Sequence, residues 1–339
     1  MKLTDQIYII AELSANHNNN FQLAKDTILA MKESGADAVK FQTYTPDSLS
    51  LDVDNEYFGP LKQGSWKGIK PYDLFKRAAM PWEWQDDLAK YAISLGLDWL
   101  SSPFDFEAVD FLETINCPVY KIASFEIFDI PLIEYVAKKK KPIIISTGIA
   151  EIEDIELAVS TCKKAGNKDI SILKCTSAYP APFKDIDLKT IPVLSEKFGL
   201  TIGLSDHTSG YTVALGAVAL GANIIEKHFV LDRESGGVDS FFSMEPEEFK
   251  IMTEKIRELE LALGDETYKL SESAIDGRNR GRSLFVVHDI KKDEVITEKN
   301  IKSIRPAAGL HPKYYYEILG KKAKNNIPKG TPLSWELIY

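Results

Sequence analysis

At 339 residues the chain can bury one large core and still carry a small second domain. A formal net charge of −9 argues against a general nucleic-acid binder, because backbone phosphates would be repelled rather than neutralised. The three cysteines, Cys117, Cys162 and Cys175, form no Cys-x-x-Cys pair; they argue against a thiolate zinc cage and fit reduced thiols in a cytoplasmic protein. Near the N-terminus the apolar run in MKLTDQIYIIAEL, between Asp5 and Glu12, is too short for a signal-peptide core, and no later stretch reaches membrane-spanning length. No membrane and no nucleic-acid partner is expected.

Eight short apolar stretches then follow in order, each running into polar residues at its C-terminal end. IYIIAE ends on Glu12, AVKFQ carries Lys40 and Gln42, and LDWLSSPFD delivers Ser102. VYKIASFE delivers Lys121, Ser124 and Glu126, and PIIISTG gives Thr147. ILKCTSAY gives Ser177 and Tyr179, TIGLSDH gives Asp206 and His207, and NIIEKHF gives His228. Amphipathic segments of helical period lie between most of them, as at 22–32, 83–94 and 152–165, and another at 247–263 follows the last. Strand then helix, eight times, predicts an α/β fold: a parallel (β/α)8 TIM barrel with its active site at the C-terminal strand ends. One charge after an apolar run is most simply a loop residue. Recurrence at the same end of all eight strands is what a solvated surface does not require, and it points to an enzyme.

The barrel pattern ends near Gly264, which gives a catalytic domain over residues 1–264. Residues 265–282 are polar and aperiodic, with Arg278, Arg280 and Arg282 clustered near the end, and read as a linker. From Ser283 onward short strands alternate with turn residues, among them Gly330 and Pro332, predicting a small domain over residues 283–339. A segment of that size is marginal alone and is expected to pack against something else.

His207 and His228 fall at the ends of the seventh and eighth strands, which are neighbours in a closed barrel. Two imidazoles with oxygen ligands nearby suit a divalent ion, Mn2+ first. Asp206 is placed to orient a ring or bind a substrate hydroxyl. Lys40 and Lys121, with the hydroxyls of Ser102, Ser124 and Ser177, suit a phosphate or carboxylate. Alternatively Lys40, Lys121 or Lys174 is a Schiff-base nucleophile, and these residues alone do not separate the two. Glu12 and Glu126 are candidates for acid–base work or for binding sugar hydroxyls.

The motifs Ile10-Ala-Glu-Leu-Ser-Ala-Asn-His17, Val39-Lys-Phe-Gln-Thr43, Ser101-Ser-Pro-Phe-Asp105, Lys121-Ile-Ala-Ser-Phe-Glu126, Cys175-Thr-Ser-Ala-Tyr-Pro180, Gly203-Leu-Ser-Asp-His207 and Glu226-Lys-His-Phe229 occur in this order. With Ser146-Thr-Gly148 and Ile304-Arg-Pro306, they make a chain that resembles the sialic acid synthase family over essentially its whole length, and within it the pseudaminic subfamily. The resemblance implies a barrel followed by a C-terminal antifreeze-like (SAF) domain, assembled as a domain-swapped homodimer. It implies condensation of phosphoenolpyruvate with an open-chain N-acetylated amino sugar, releasing phosphate by C–O cleavage. The sugar expected is a 2,4-diacetamido-2,4,6-trideoxy hexose of altro configuration, giving pseudaminic acid; N-acetylneuraminic or legionaminic acid synthesis is the alternative. Outside this class stand a Schiff-base aldolase and a non-catalytic sugar-binding protein.

The resemblance further assigns His207 and His228 to the metal, with Mg2+ or Co2+ as alternatives to Mn2+. It assigns Lys40, Ser102, Lys121, Ser124, Ser177 and Ser205 to phosphoenolpyruvate. Glu12, Gln42, Tyr179 and Asp239 would face the sugar, Glu126 would stand near the reacting carbon, and Arg305 would arrive from the neighbouring subunit. Ser177 stands where sialic acid synthases carry Asn, and residues 64–73 lack the Asn that contacts substrate in some of them. In residues 232–244 the pair Phe241–Phe242 offers an apolar wall suited to a 6-deoxy sugar.

Overall fold

Side chains on a strand alternate between its two faces, and the eight short strands use this to separate two apolar layers. The computed structural model describes residues 6–264 and 267–339. Residues 1–5, with Asp5, and residues 265–266, where the expected linker begins, lie outside the described residues. The strands are β1 (Tyr8–Glu12), β2 (Ala38–Thr43), β3 (Asp98–Pro103), β4 (Tyr120–Ile122), β5 (Ile143–Ser146), β6 (Ile170–Cys175), β7 (Thr201–Asp206) and β8 (Ile224–His228). They close into one parallel barrel in sequence order, with β8 pairing back to β1 through Glu12 opposite His228.

One face of these strands packs on the surrounding helices: Ile9, Val39, Trp99, Ile145, Ile172 and Ile225 belong to the main core. The other face fills the barrel, where Tyr8, Ile10, Leu100, Ile144, Leu173 and Ile224 form a separate buried cluster. Gly203 is required in that plug, because a Cβ there would stand 2.4 Å from the Ile224 carbonyl and 2.6 Å from Leu173 Cδ2. At the N-terminal ends of the strands the Tyr8 hydroxyl donates to Asp98 at 2.7 Å.

Several helices start on side-chain caps just after a strand. Asp105 accepts from the Ala108 N–H ahead of Phe106–Thr114, and Asp129 accepts from Leu132 ahead of Ile130–Lys138. Helix Pro246–Leu263 closes the ring: Arg257 donates to the Ile7 carbonyl at 2.7 Å and to Asp37 at 2.9 Å.

The chain divides into two units, Met1–Gly264 and Asp265–Tyr339. In the second, β9 (Ser283–Val286) and β10 (Ile301–Ile304) pair antiparallel, over a core that includes Leu284, Ile296, Ile318 and Ile338. The stretch read as an aperiodic linker contains a short helix, Glu272–Arg278, capped by Ser271. Two turns set by a cap are too few to show a period in sequence. Arg282 is used locally, donating to the Ser303 carbonyl at 2.7 Å. No helix among the described residues is long and apolar enough to cross a membrane.

Candidate active site

Above the apolar plug, each strand contributes one further inward residue: Glu12, Lys40, Ser102, Lys121, Ser146, Cys175, Ser205 and Glu226, all buried. Charge is arranged as two ammoniums among two carboxylates. Lys40 Nζ lies 2.8 Å from Glu12 Oε2 and 3.6 Å from Glu226 Oε1, and Lys121 Nζ lies 4.0 Å from the same Glu226 oxygen. Lys121 also donates to Ser146 Oγ at 2.6 Å, and Ser205 donates to Glu226 at 3.2 Å.

Burial is the largest influence on every member. It pushes Glu12 up to about 7 against the pull of Lys40. It also lowers Lys121. Lys40 is held above the ordinary lysine range because Glu12 and Glu226 outweigh its burial, and Glu226 is held low by Lys121 and Lys40 despite its own. Glu226 was not singled out from the sequence. The signal was there: it stands two residues before His228 on β8, hence on the same inward face.

His207 and His228 stand at the rim, ring centroids 5.3 Å apart. His207 Nδ1 is 3.0 Å from the Thr176 carbonyl, which only accepts, so Nδ1 carries a proton and Nε2 is the ring atom left to meet a ligand. His228 Nδ1 is buried without a hydrogen-bond partner and lies 4.0 Å from Asp239 Oδ2. Two imidazoles beside a carboxylate fit a divalent ion of mixed nitrogen and oxygen preference. No group of three or more His, Cys, Asp or Glu side chains suited to a metal occurs among the described residues, so water and substrate would complete the shell. Asp239 is fixed by the Ser14 hydroxyl, which also accepts from Gln42 Nε2 at 3.2 Å, while Gln42 reaches Glu12 Oε1 at 3.0 Å.

These groups open into a cavity of about 450 Å3, lined at its polar end by Lys40, Gln42, Lys121, Ser124, Glu126, Tyr179, Ser205, His207, His228 and Asp239. Glu126 sits on the short turn Ser124–Phe128 with Oε2 buried and unpartnered, and burial raises its carboxyl to about 7. Ser177 Oγ touches Ser124 Oγ at 2.5 Å. Gly148 makes room for that pair, since a Cβ there would fall 2.0 Å from Ser177 Oγ. Ser102 is buried with an unpartnered Oγ and is not among the residues that line the cavity. Thr147 is buried and donates to the Leu173 carbonyl at 3.2 Å. Arg305 is an exposed residue of the second unit.

Two expectations from the sequence do not match the side-chain directions. Asp206 points to the outer face of β7, where it accepts from Lys227 Nζ at 2.7 Å and from Thr208, so it orients no imidazole and faces no cavity. Lys174 likewise faces away, its ammonium donating to the Cys175 carbonyl at 2.9 Å and to Thr176 at 3.2 Å. Phe242 lines the cavity, 4.8 Å from the His228 ring, whereas Phe241 does not line it and is partly exposed.

The NeuB family profile matches residues 27–268. The chain belongs to the NeuB family. A SAF domain profile matches residues 281–338. Among relatives of this NeuB-family chain, the pseudaminic acid synthase of Helicobacter pylori is 48% identical over 96% of each chain. The N,N'-diacetyllegionaminic acid synthase of Legionella pneumophila is 37% identical, covering 98% of this chain and 94% of its own. Among solved structures, the spore coat polysaccharide biosynthesis protein SpsE of Bacillus subtilis superposes with a TM-score of 0.66 at 34% identity, over 98% of this chain and 95% of that one.

Proposed function

We propose that this NeuB-family protein is a pseudaminic acid synthase. It joins phosphoenolpyruvate to open-chain 2,4-diacetamido-2,4,6-trideoxy-altrose and releases phosphate. The observation that carries the reading is that two buried lysines flank one carboxylate, Glu226, in the same cavity as a pair of imidazoles. An anion clamp beside a cation site suits an anionic nucleophile meeting an aldehyde. The degree of identity to the Helicobacter relative supports the altro sugar over the alternatives, and the apolar Phe242 wall suits a 6-deoxy sugar over N-acetylmannosamine.

In this reading Lys40 and Lys121, with Ser102, Ser124, Ser177 and Ser205, hold the phosphate and carboxylate of phosphoenolpyruvate. Their contribution is position: holding two reactants in line is worth roughly 7 kcal/mol or more of a barrier. Glu12, Gln42, Tyr179 and Asp239 orient the sugar. The enol carbon attacks the aldehyde carbon, the new C–C bond taking the enol electron pair and leaving an oxocarbenium at C2, while the carbonyl π pair moves to the aldehyde oxygen, which takes up a proton from water. Glu126, ionised, stabilises that cation and takes the proton of the water that adds there. The C2–O bond to phosphate then breaks, its electrons leaving with phosphate, and the C2 hydroxyl gives up its proton to become the ketone. His207 and His228 would hold a divalent ion, Mn2+ first, which supplies Lewis-acid polarisation of the aldehyde.

The small unit is proposed to serve a second copy, with Arg305 reaching the sugar in the partner's barrel within a domain-swapped homodimer. The reaction is placed in the cytoplasm, in keeping with three buried free thiols. One observation favours a second reading: burial lowers Lys121, as a Schiff-base lysine requires. Borohydride with the sugar or with pyruvate would trap that intermediate. Phosphate release that needs both phosphoenolpyruvate and the sugar, with no trapped adduct, supports the synthase. Sugar binding without phosphate release would instead support a non-catalytic module.

A further inference from the structure

The ladder between β7 and β8 stops one pair short of the histidines. Its last registered pair is Asp206 opposite Lys227, so His207 and His228 stand just beyond it. By the two-residue period of a strand, Asp206 and Lys227 share the outward face, and their side chains meet there. Lys227 Nζ donates to Asp206 Oδ2 at 2.7 Å and to the Thr208 carbonyl at 2.7 Å. Asp206 Oδ1 accepts from the Thr208 N–H at 2.9 Å and from its hydroxyl at 2.8 Å. All three residues are buried, none more than 2% exposed.

The ammonium that precedes His228 in sequence thus grips the chain on both sides of His207. Other contacts hold each histidine to a different neighbour. The Thr176 carbonyl and the Ala181 N–H hold His207 to the loop after β6. Around His228, the Phe229 N–H donates to the Glu12 carbonyl at 2.9 Å, and the His228 carbonyl accepts from the Met244 N–H at 2.9 Å. Past the last ladder pair, Lys227 ties the His207 segment to β8. A buried ion pair is a costly source of stability, since apolar residues of like volume often do as well. What this one adds is a fixed distance between two strand ends.

We propose that Asp206 and Lys227 are positioning residues for the histidine pair, setting the separation at which the two imidazoles meet one divalent ion. The inference rests on the reading of His207 and His228 as the metal site and extends it to side chains that touch neither ring. They act on backbone: Asp206 and Thr208 flank His207, and Lys227 adjoins His228. Metal–ligand distances tolerate only about 0.2 Å. A small shift of residues 206–208 against β8 would spoil the site while leaving the barrel core packed.

The test is Mn2+ binding to the full chain without substrates, read from the electron paramagnetic resonance signal of free Mn2+, beside the melting temperature. Lys227→Met leaves the Asp206 carboxylate buried and unpaired. It should lower the melting temperature and weaken Mn2+ binding by about tenfold or more. Asp206→Asn combined with Lys227→Met removes both charges and keeps an acceptor for Thr208. Its melting temperature should return toward the wild-type value while Mn2+ binding stays weak. Recovery of Mn2+ affinity together with stability would mean that the pair serves the fold alone, and overturns the proposal. Wild-type affinity in Lys227→Met overturns it too, as does a double variant that stays unstable and binds weakly, since binding then follows the fold. Where Lys227→Met does not fold, the double variant decides on the same two readings. Absence of Mn2+ binding by the wild type would overturn the metal site itself, and the positioning role with it.

Discussion

Lys40 stands between Glu12 and Glu226, 2.8 Å from one carboxylate and 3.6 Å from the other, with almost no exposure to water. Removing that ammonium leaves two buried carboxylates facing each other. Lys40→Met is expected to cost about 3–5 kcal/mol of stability at pH 7. Adding Glu12→Gln to it should return part of the loss. Urea unfolding of the three proteins checks this, and no change for Lys40→Met would mean that water reaches the layer.

For the histidine pair, His207→Ala and His228→Ala are each expected to abolish phosphate release while shifting the melting temperature little. Both residues sit at strand ends above the packed layers of the barrel. Chelator should silence the wild type, and Mn2+ should restore it. A metal-free preparation with full activity would remove the ion from the reaction.

Glu126 makes a pH prediction with a definite sign. Burial raises its carboxyl from the ordinary 4.5 to about 7 in the folded protein. The folded state therefore binds this proton more tightly than the unfolded chain, and its stabilising effect is full below pH 4.5 and lost as pH rises through about 7. Glu126→Gln should accordingly gain on the wild type in stability above pH 7 and show no gain at acid pH. If the ionised carboxylate works on the oxocarbenium, kcat/KM should climb through about 7 in the wild type, and Glu126→Gln should flatten that limb. An unchanged acid limb in the variant would assign it to another group.

Much of the site was legible because β-strands repeat every two residues. Lys40 and Gln42, Ser205 and His207 share the inward face of their strands, as do Glu226 and His228. The same rule places Asp206 and Lys227 outward, and there they pair with each other. Asp206 was misjudged because chain adjacency to His207 was weighed ahead of that alternation. Glu226 was overlooked beside His228, although a carboxylate is what two buried lysines need in the resting protein. In the segment between β2 and β3 the resemblance pointed to residues 64–73, but no period does, since Leu61 and Trp66 reach the site through turn closure and long-range contacts.

Arg305 predicts a result that depends on two chains. Mixing Arg305→Ala with Glu126→Gln under subunit exchange gives heterodimers in which, if the small units swap, one site carries both lesions and the other none. Random exchange should then recover about a quarter of wild-type activity. If Arg305 serves its own barrel, every site keeps one lesion and mixing restores nothing.

The most direct test follows the oxygen that bridges C2 and phosphorus in phosphoenolpyruvate, labelled with 18O. Wild-type protein with Mn2+ and 2,4-diacetamido-2,4,6-trideoxy-altrose should release labelled phosphate, together with a product whose mass is the sum of both substrates plus water minus phosphoric acid. N-acetylmannosamine and the 6-deoxy-mannose analogue that leads to legionaminic acid should release it more slowly. Label retained in the sugar acid, or no phosphate release with any of the three sugars, would contradict the account.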